Sequence, residues 1–385
     1  MADNKVYYDY IENYDLELIK ETIAKIFEED KTFIEKIKAK SGAKILIKPN
    51  LLSARHPDKA ITTHPVVIKA IVEYLSPLDC EIIIGDSPAG TYNQKILEKL
   101  YTTCGMSEVA DTTRATLNFD TSDALVNFEN GKTLKKSLML KPAVEADFII
   151  NAAKLKTHTL TRLTCTTKNL FGLMPGVLKF RQHLAMPDLT IFAQMLLDIC
   201  NYFEDKSFHF VDGIIGMEGE GPSGGDPKFA GAILAGSNPQ MVDILACHIM
   251  GMEINTVPTL KEFKGIEDIE INNFKEIKTY NFNLPPVMRR SIPDKIPKFV
   301  QNYLTEIIVP KPLFDLKTCK KCNICIESCP AEIISMENKG PKIKDYKKCI
   351  RCYCCQEGCP YRSIHLSTPL VERIFKFFYL NKKKG

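Results

Sequence analysis

Tryptophan is absent from the 385 residues, and no apolar run approaches the length of about 18 residues that a membrane-spanning helix needs. The sequence therefore predicts no transmembrane segment. The amino terminus also lacks the apolar stretch of a secretory signal, since Met1 to Tyr10 is polar and acidic. Cysteine is scarce before residue 311, where we expect the scattered thiols to be ordinary core side chains: Cys80, Cys104, Cys165, Cys200 and Cys247. We therefore expect a cytoplasmic protein without disulfide bonds.

The remaining cysteines are concentrated in one short segment, as two runs that each end in proline. They are Cys319, Cys322, Cys325 and Cys329 before Pro330, then Cys349, Cys352, Cys355 and Cys359 before Pro360. The spacing C-x2-C-x2-C-x3-C-P is that of bacterial two-cluster ferredoxins. Because matching cysteines lie 30 residues apart, the segment is interpreted as a duplication with pseudo-twofold symmetry. The sequence predicts two [4Fe-4S] clusters.

In ferredoxins of this type the fourth cysteine of each run binds the cluster of the other run. One cluster is then expected on Cys319, Cys322, Cys325 and Cys359, and the other on Cys349, Cys352, Cys355 and Cys329. Cys354 lies outside this spacing. A zinc ribbon needs only four ligands, and a disulfide framework requires an oxidising compartment, so both alternatives explain the pattern less well. A purely structural role for the clusters stays open.

Basic residues outnumber acidic ones around these cysteines. Residues 311 to 367 contain 11 Lys and Arg against 6 Asp and Glu, in a chain of net charge +4. Each cluster with its four thiolates should carry a charge of about −2 when oxidised. We therefore interpret the basic residues as counter-charge to the clusters and predict no nucleic-acid partner.

Strands alternate with helices along residues 1–284. Helical periodicity covers 15–40, 66–75 and 240–250, and buried strands are predicted at 44–48, 81–84, 147–151, 208–211 and 231–235. This order predicts an α/β domain whose mostly parallel sheet has helices on both faces. Six prolines in residues 285–312 indicate a linker with one short helix at 299–307. A small α+β ferredoxin-like domain is expected at 313–367. The basic amphipathic tail, 368–385, is expected to pack on the large domain or to touch an anionic membrane surface.

Polar side chains follow the predicted strands, at the edge of the sheet where α/β proteins bind ligands. They are Asn50 after the first strand, Asp86 after the second, and Lys154, Lys156, His158, Lys168 and Asn169 after the third. In an extended segment Lys154, Lys156 and His158 lie on one side. These cations would suit a carboxylate or phosphate substrate, with His158 or a buried lysine as the proton donor. A solvated polar face, or an edge strand protected by lysines, explains the spacing equally well.

A glycine-rich segment occupies residues 212–225. Its Gly219-Glu220-Gly221-Pro222-Ser223-Gly224 matches G-x-G-x-x-G, but Pro222 lies inside it and no helix opens there, which argues against a dinucleotide site. We interpret the segment as a mobile loop whose carboxylates, Glu218 and Glu220, could close over a substrate, a proton path or a metal. A plain flexible connector is the alternative.

Several of these motifs together resemble a known family. They are Lys48-Pro49-Asn50, Thr63-His64-Pro65, Gly85-Asp86-Ser87-Pro88, Lys154-x-Lys156-Thr157-His158, Lys168-Asn169-x-x-Gly172, Val211-Asp212-Gly213, Met217-Glu218-Gly219 and Asp243 with Met250-Gly251. In this order, over about residues 40–270, they resemble the family called domain of unknown function 362, whose members often carry a carboxyl-terminal ferredoxin module. The resemblance supplies no reaction, but it favours a site at Lys154, Lys156, His158 and Lys168. The order of strand, loop, Thr-x-Pro-like helix start and strand ending in Gly-Asp also resembles the amino-terminal half of nickel-dependent lactate racemases, as an analogy of fold alone.

The residues and the resemblance together predict an oxidoreductase. It would pass low-potential electrons from a soluble donor protein, through two clusters, to an anionic small molecule in the α/β domain. Sensitivity to oxygen, and hence an anaerobic cytoplasm, is expected. Two other functions stay open: an electron carrier whose large domain only docks partners, and a scaffold that delivers clusters or senses redox state.

Overall fold

The computed structural model describes residues 5–266, 269–273, 275–285 and 309–367. Most of the predicted linker, with its helix at 299–307, lies outside the described residues, and so does the whole predicted tail at 368–385.

The described chain forms fifteen strands and twelve α-helices. The strands are β1 (Lys5–Tyr10), β2 (Ala43–Pro49), β3 (Cys80–Ile84), β4 (Thr116–Leu117), β5 (Asp123–Asn127), β6 (Lys136–Leu140), β7 (Phe148–His158), β8 (Arg162–Thr164), β9 (Ser207–Glu218), β10 (Asp226–Gly236), β11 (Glu270–Asn273), β12 (Pro312–Phe314), β13 (Ile334–Glu337), β14 (Gly340–Ile343) and β15 (Ile364–Leu366). The helices are α1 (Leu16–Glu29), α2 (Lys31–Lys38), α3 (Pro65–Leu75), α4 (Gln94–Thr103), α5 (Met106–Thr112), α6 (Lys141–Glu145), α7 (Thr166–Asn169), α8 (Leu178–Ala185), α9 (Leu189–Phe203), α10 (Pro239–Met250), α11 (Ile324–Glu327) and α12 (Cys354–Gly358).

Nine strands form the main sheet, in the order β11-β1-β10-β9-β7-β2-β3-β4, with β8 paired to β7. Five neighbouring strands, β4, β3, β2, β7 and β9, run parallel. Strand β10 is antiparallel to both β9 and β1. The prediction of a mostly parallel α/β sheet is confirmed.

Helices cover both faces of this sheet, as the alternation of side chains in β2 illustrates. Ile45 and Ile47 belong to the core formed with α1 to α5, whereas Leu46 between them packs in the core that contains α6 and α9. Helix α10 packs over β1, β9 and β10 in a third core. Because both faces are buried, successive residues of a central strand are apolar, as in Ile45-Leu46-Ile47 of β2.

The structure contains elements that the sequence did not predict, such as the β5–β6 hairpin and helix α9, and it differs from the sequence-based expectation elsewhere. Strand β1 was not predicted, because its lysine and aspartate obscure an apolar side that is fully buried. The helix expected over 15–40 is interrupted at Asp30, which separates α1 from α2. The segment 212–218 belongs to strand β9 rather than to a loop.

Glycines in β9 allow close packing with β10 and β7, which explains why residues 212–218 form a strand rather than a loop. A Cβ atom on Gly213 would lie 2.9 Å from the Ala232 carbonyl oxygen, and one on Gly216 would lie 2.8 Å from the carbonyl oxygen of Leu155. The absence of a helix after the glycine-rich segment was predicted correctly.

The cysteine-rich module contains two antiparallel strand pairs, β12 with β15 and β13 with β14, and the short helices α11 and α12. Its duplication is visible in the backbone. Lys321 and Arg351, 30 residues apart, have φ of 52° and 54°, and Asn323 and Tyr353 have φ of 64° and 63°. Non-glycine residues seldom adopt this left-handed conformation, so its recurrence at matching positions shows that both halves trace the same path.

Candidate functional site

Two cavities in the module are each lined by four cysteines. The first encloses about 340 Å³ and is lined by Cys319, Cys322, Cys325 and Cys359. The second encloses about 330 Å³ and is lined by Cys329, Cys349, Cys352 and Cys355. The fourth cysteine of each run therefore lies at the cavity of the other run, in the grouping that the sequence suggested.

The donor set of these cavities fits an iron–sulfur cluster, which is held by cysteine thiolates. Backbone N–H groups support the sulfurs, since Lys321 donates to Cys319 Sγ and Ser363 donates to Cys359 Sγ, each at 3.4 Å. Burial, followed by the neighbouring cysteines, raises the pKa of Cys325 to about 11. Such a thiol is protonated at neutral pH, so binding of a metal there would release its proton.

The two cysteine sites differ in exposure. In the first, Cys322 and its neighbours Lys320 and Lys321 are exposed to solvent. In the second, Cys352 and Cys355 are buried. The first site therefore faces solvent, and the second faces the α/β domain.

A third cavity, of about 590 Å³, lies at the carboxyl ends of strands β2, β3 and β7. This is the edge at which open α/β sheets bind ligands. Six of the residues that the sequence singled out line it: Lys48, Asn50, Asp86, Lys156, Lys168 and Asn169.

A buried ion pair forms one wall of this cavity. Lys48 Nζ lies 2.7 Å from Asp86 Oδ1, and both side chains are almost fully buried. The same ammonium group donates to Asn169 Oδ1 at 3.2 Å. A Cβ atom on Gly172 would lie 2.6 Å from each member of the pair, so only glycine leaves room for the pair there.

Lys156 extends into the cavity from β7 and is held by neutral acceptors. Its ammonium group donates to Asn50 Oδ1 and to the Ile61 carbonyl oxygen, both at 2.7 Å. Burial, reinforced by the positive charges of Lys168 and Lys154, lowers the pKa of Lys156 well below its usual value. A lysine with a lowered pKa releases its proton more readily than an exposed lysine does.

Lys179, on helix α8, also lines the cavity, and sequence reasoning missed it. Its ammonium group donates to the Ser87 carbonyl oxygen at 2.8 Å, to Ser87 Oγ at 3.0 Å and to the Met174 carbonyl oxygen at 3.0 Å. Burial lowers its pKa to about 7. No motif contains Lys179, and only the position of α8 brings it to the site.

Three residues that the sequence assigned to the site do not line the cavity. Lys154 Nζ forms a buried ion pair with Asp212 at 2.7 Å. A register shift in the pairing of β7 with β9 lies between Lys154 and Lys156. His158 is fully buried beside the cavity. The carboxylate of Glu218 accepts the backbone N–H of Asn283 at 2.8 Å, on the far side of the β9 strand end.

The cysteine-rich module covers the cavity. Glu357, from α12 between Cys355 and Cys359, is one of its lining residues, and Glu357 Oε1 lies 3.3 Å from His158 Nε2. Ser223 Oγ donates to the Glu357 carbonyl oxygen at 2.8 Å. The segment 219–225, predicted as a mobile loop, therefore forms part of the contact between the two parts of the chain.

Apolar contacts complete this junction. Phe180, which lines the cavity, packs in one buried cluster with Cys352 and Cys354. Cys352 in turn lines the second cysteine site. Side chains of one buried cluster thus line both the second cysteine site and the lysine-lined cavity.

These features define the class of protein: an iron–sulfur protein that combines an α/β domain with a ferredoxin-like module. A family model described as "Domain of unknown function (DUF362)" matches residues 45–248, and the chain belongs to that family. A model described as "4Fe-4S dicluster domain" matches residues 311–360. The resemblance seen in the sequence is confirmed, and so are iron–sulfur binding and electron transfer as the general role.

One curated relative is the thylakoid-associated protein sll1697 of Synechocystis, which is 28% identical over 264 residues, or 65% of this chain and 78% of the relative. Among solved structures, the lactate racemase apoprotein of Thermoanaerobacterium thermosaccharolyticum matches at 14% identity and a TM-score of 0.37. A Thermotoga maritima protein matches at 15% identity and a TM-score of 0.36. The match covers 62% of this chain in both cases, and 56% and 60% of the solved chains. Among the described residues, every helix is too short or too polar to cross a membrane.

Proposed function

We propose that this chain is an iron–sulfur oxidoreductase in which a small anion, bound in the α/β cavity, exchanges electrons with the cysteine-rich module. One observation carries the proposal: Glu357, placed between Cys355 and Cys359, lines the same cavity as four buried or partly buried lysines. A carrier whose large domain only docks partners would have no need of a lysine-lined cavity beneath its cofactor module.

In this proposal the eight cysteines hold two [4Fe-4S] clusters. Such clusters, when bound, supply single electrons at low potential. The exposed side of the module at Cys322 would meet a soluble donor protein, and the buried side at Cys352 and Cys355 faces the cavity. We further propose an anaerobic, cytoplasmic setting, because clusters near the surface are readily oxidised.

The lysines bind the anion and exchange protons with it. Lys156 and Lys168 line the cavity with burial-lowered pKa values, so each can bind a carboxylate or phosphate when charged and release a proton to it. Asn50 and Asn169 are joined by a 2.8 Å hydrogen bond and hold the Lys156 and Lys48 ammonium groups in place.

His158 acts in this proposal by positioning Glu357 rather than by protonating the substrate. Its Nδ1 atom accepts the backbone N–H groups of Leu160 at 3.0 Å and Thr161 at 3.4 Å. These donors assign the imidazole proton to Nε2, which points at the Glu357 carboxylate 3.3 Å away. Lys154, paired with Asp212, supports the strand end without touching the substrate.

The test is a reoxidation assay under argon. The full chain with its clusters is reduced with dithionite, the excess is removed, and a panel of small anions is added: fumarate, 2-oxoglutarate, nitrite and sulfite. We expect at least one anion to restore the oxidised visible spectrum faster than buffer, and Lys156→Met to abolish that acceleration while iron and sulfide contents stay unchanged.

Lys206→Met is the matched control. Lys206 is half-buried and, like Lys156, donates to carbonyl oxygens, those of Ala143, Val144 and Ala146, but it does not line the cavity. Equal acceleration in Lys156→Met and in the parent protein would refute the cavity assignment and favour the carrier. The proposal also fails if none of the four anions accelerates reoxidation.

A further inference from the structure

The charges that line the α/β cavity are unbalanced. Four lysines, Lys48, Lys156, Lys168 and Lys179, face two carboxylates, Asp86 and Glu357, which leaves an excess of two positive charges when all are ionised. Buried charge without compensation is costly, so a cavity of this kind stabilises a ligand of opposite charge.

The local contacts show which ammonium groups are available to bind an anion. Lys48 is neutralised by Asp86 at 2.7 Å. Within the described part of the chain, Lys156, Lys168 and Lys179 form no ion pair. Lys156 and Lys179 donate only to neutral oxygens, and Lys168 Nζ lies over the ring of Phe171, 5.8 Å from its centroid.

The remaining wall is apolar. Leu52, Ala89, Phe171, Phe180 and Pro222 line the cavity together with the lysines. An inorganic anion would leave these side chains against water, whereas a carbon skeleton would cover them.

We propose that the ligand of this cavity is a small organic dianion, such as a dicarboxylate, whose negative groups bind Lys156, Lys168 and Lys179. The inference rests on the proposed function for the choice of site, and it adds the substrate class and Lys179 as a binding residue. Phe171 and Phe180 contact the carbon chain of the ligand.

The experiment is isothermal titration calorimetry on the full, cluster-loaded, oxidised protein under argon. Succinate and butyrate are the main probes, because they have the same number of carbon atoms and differ by one carboxylate. Succinate should bind at least about ten-fold more tightly than butyrate, since it gains a second charge-assisted contact. Sulfate, a dianion without a carbon chain, should bind more weakly than succinate.

Variants assign the effect to the lysines. Lys179→Met should bring the affinity for succinate down to that for butyrate, and Lys206→Met should change neither. Because Lys179 is buried, its replacement could unfold the protein, so Lys168→Gln, at a partly buried position, is the second variant, with the same expected loss of preference. Iron content and circular dichroism verify that each variant is folded.

Equal affinity for succinate and butyrate in the parent protein would overturn the inference, and so would sulfate binding as tightly as succinate, or no binding of any probe at millimolar concentration. The titration involves no electron transfer. A protein that prefers succinate but is not reoxidised by any anion would therefore refute the proposed function alone.

Discussion

Anion binding in the α/β cavity should weaken as the pH rises above about 7, because burial lowers the pKa of Lys179 from 10.5 to about 7. The negative charge of Asp86 partly opposes this shift, and the positive charges of Lys48 and Lys168 add to it. An anion binds the charged ammonium group. Above pH 7, binding must therefore bring a proton with it.

The size of the effect follows from that pKa. About one Lys179 side chain in ten is protonated at pH 8, and about one in a hundred at pH 9. The affinity for a dianion should consequently fall nearly ten-fold per pH unit, or about 1.4 kcal/mol. Lys156, whose pKa is also lowered by burial, makes the slope steeper if it titrates in the same range.

The free energy of unfolding of the free protein should change with the opposite sign. The pKa of Lys179 is lower in the folded state, so the unfolded chain binds more protons between about pH 7 and pH 10.5. Stability from this group therefore rises with pH across that window, by about 1.4 kcal/mol per pH unit, and is constant below it.

The assay is calorimetric titration of the oxidised protein with succinate between about pH 7 and pH 9, with proton uptake followed by an indicator dye in weak buffer. Lys179→Met should flatten the profile and reduce the uptake. A parent protein whose affinity is constant over this range, with no proton taken up, would refute the reasoning.

Three further predictions concern the clusters, the ion pair and the exposed face. Cys354→Ala should keep the full iron content of about eight per chain, whereas Cys352→Ala, two residues away, should lose iron and sulfide. Gly172→Ala should lower the free energy of unfolding in urea by about 1–3 kcal/mol, because its Cβ would crowd the Lys48–Asp86 pair. Lys320→Glu with Lys321→Glu should slow reduction by an acidic flavodoxin about ten-fold or more and weaken the dependence of the rate on ionic strength.

Each of these predictions has a matched control or a contradicting result. Full iron content in Cys352→Ala would show that the proposed ligand set is wrong. An unchanged urea midpoint for Gly172→Ala would mean that the ion pair has room to move. Charge reversal at Lys95 and Lys99, exposed on α4, should leave reduction by flavodoxin unchanged. A rate equal to that of the parent protein in the Lys320 and Lys321 variant would exclude this face as the docking surface.

The parallel sheet was predictable, because burial on both faces gives its central strands short apolar runs, such as Ile45-Leu46-Ile47, that the sequence displays directly. Strand β1 escaped prediction because only its tertiary position buries it: Tyr7 and Tyr8 are fully buried between β10 and β11. Strand β9 was predicted too short, because its glycines were interpreted as loop residues although they allow close packing with β10 and β7.

The candidate site was predictable where its residues follow strand ends, as for Asn50, Asp86 and Lys156. Lys154 lies two residues before Lys156, so both side chains were expected to face the cavity. Lys154 pairs with Asp212 instead, and the alternation of side chains along a strand does not indicate that partner. Lys179 could not have been found, since it reaches the cavity only through the packing of α8 against Ser87 and Met174.

The amino-acid sequence by itself determined the eight cysteines, their grouping into two sets and the family. The cysteines of each run, proposed as cluster ligands, follow one another at short fixed spacings, so their pattern is local and is visible along the chain. Only the tertiary structure decided that the cysteine-rich module covers the lysine-lined cavity. That arrangement depends on contacts such as the one between Ser223 and Glu357, 134 residues apart, which form only when both parts have folded and their surfaces are complementary.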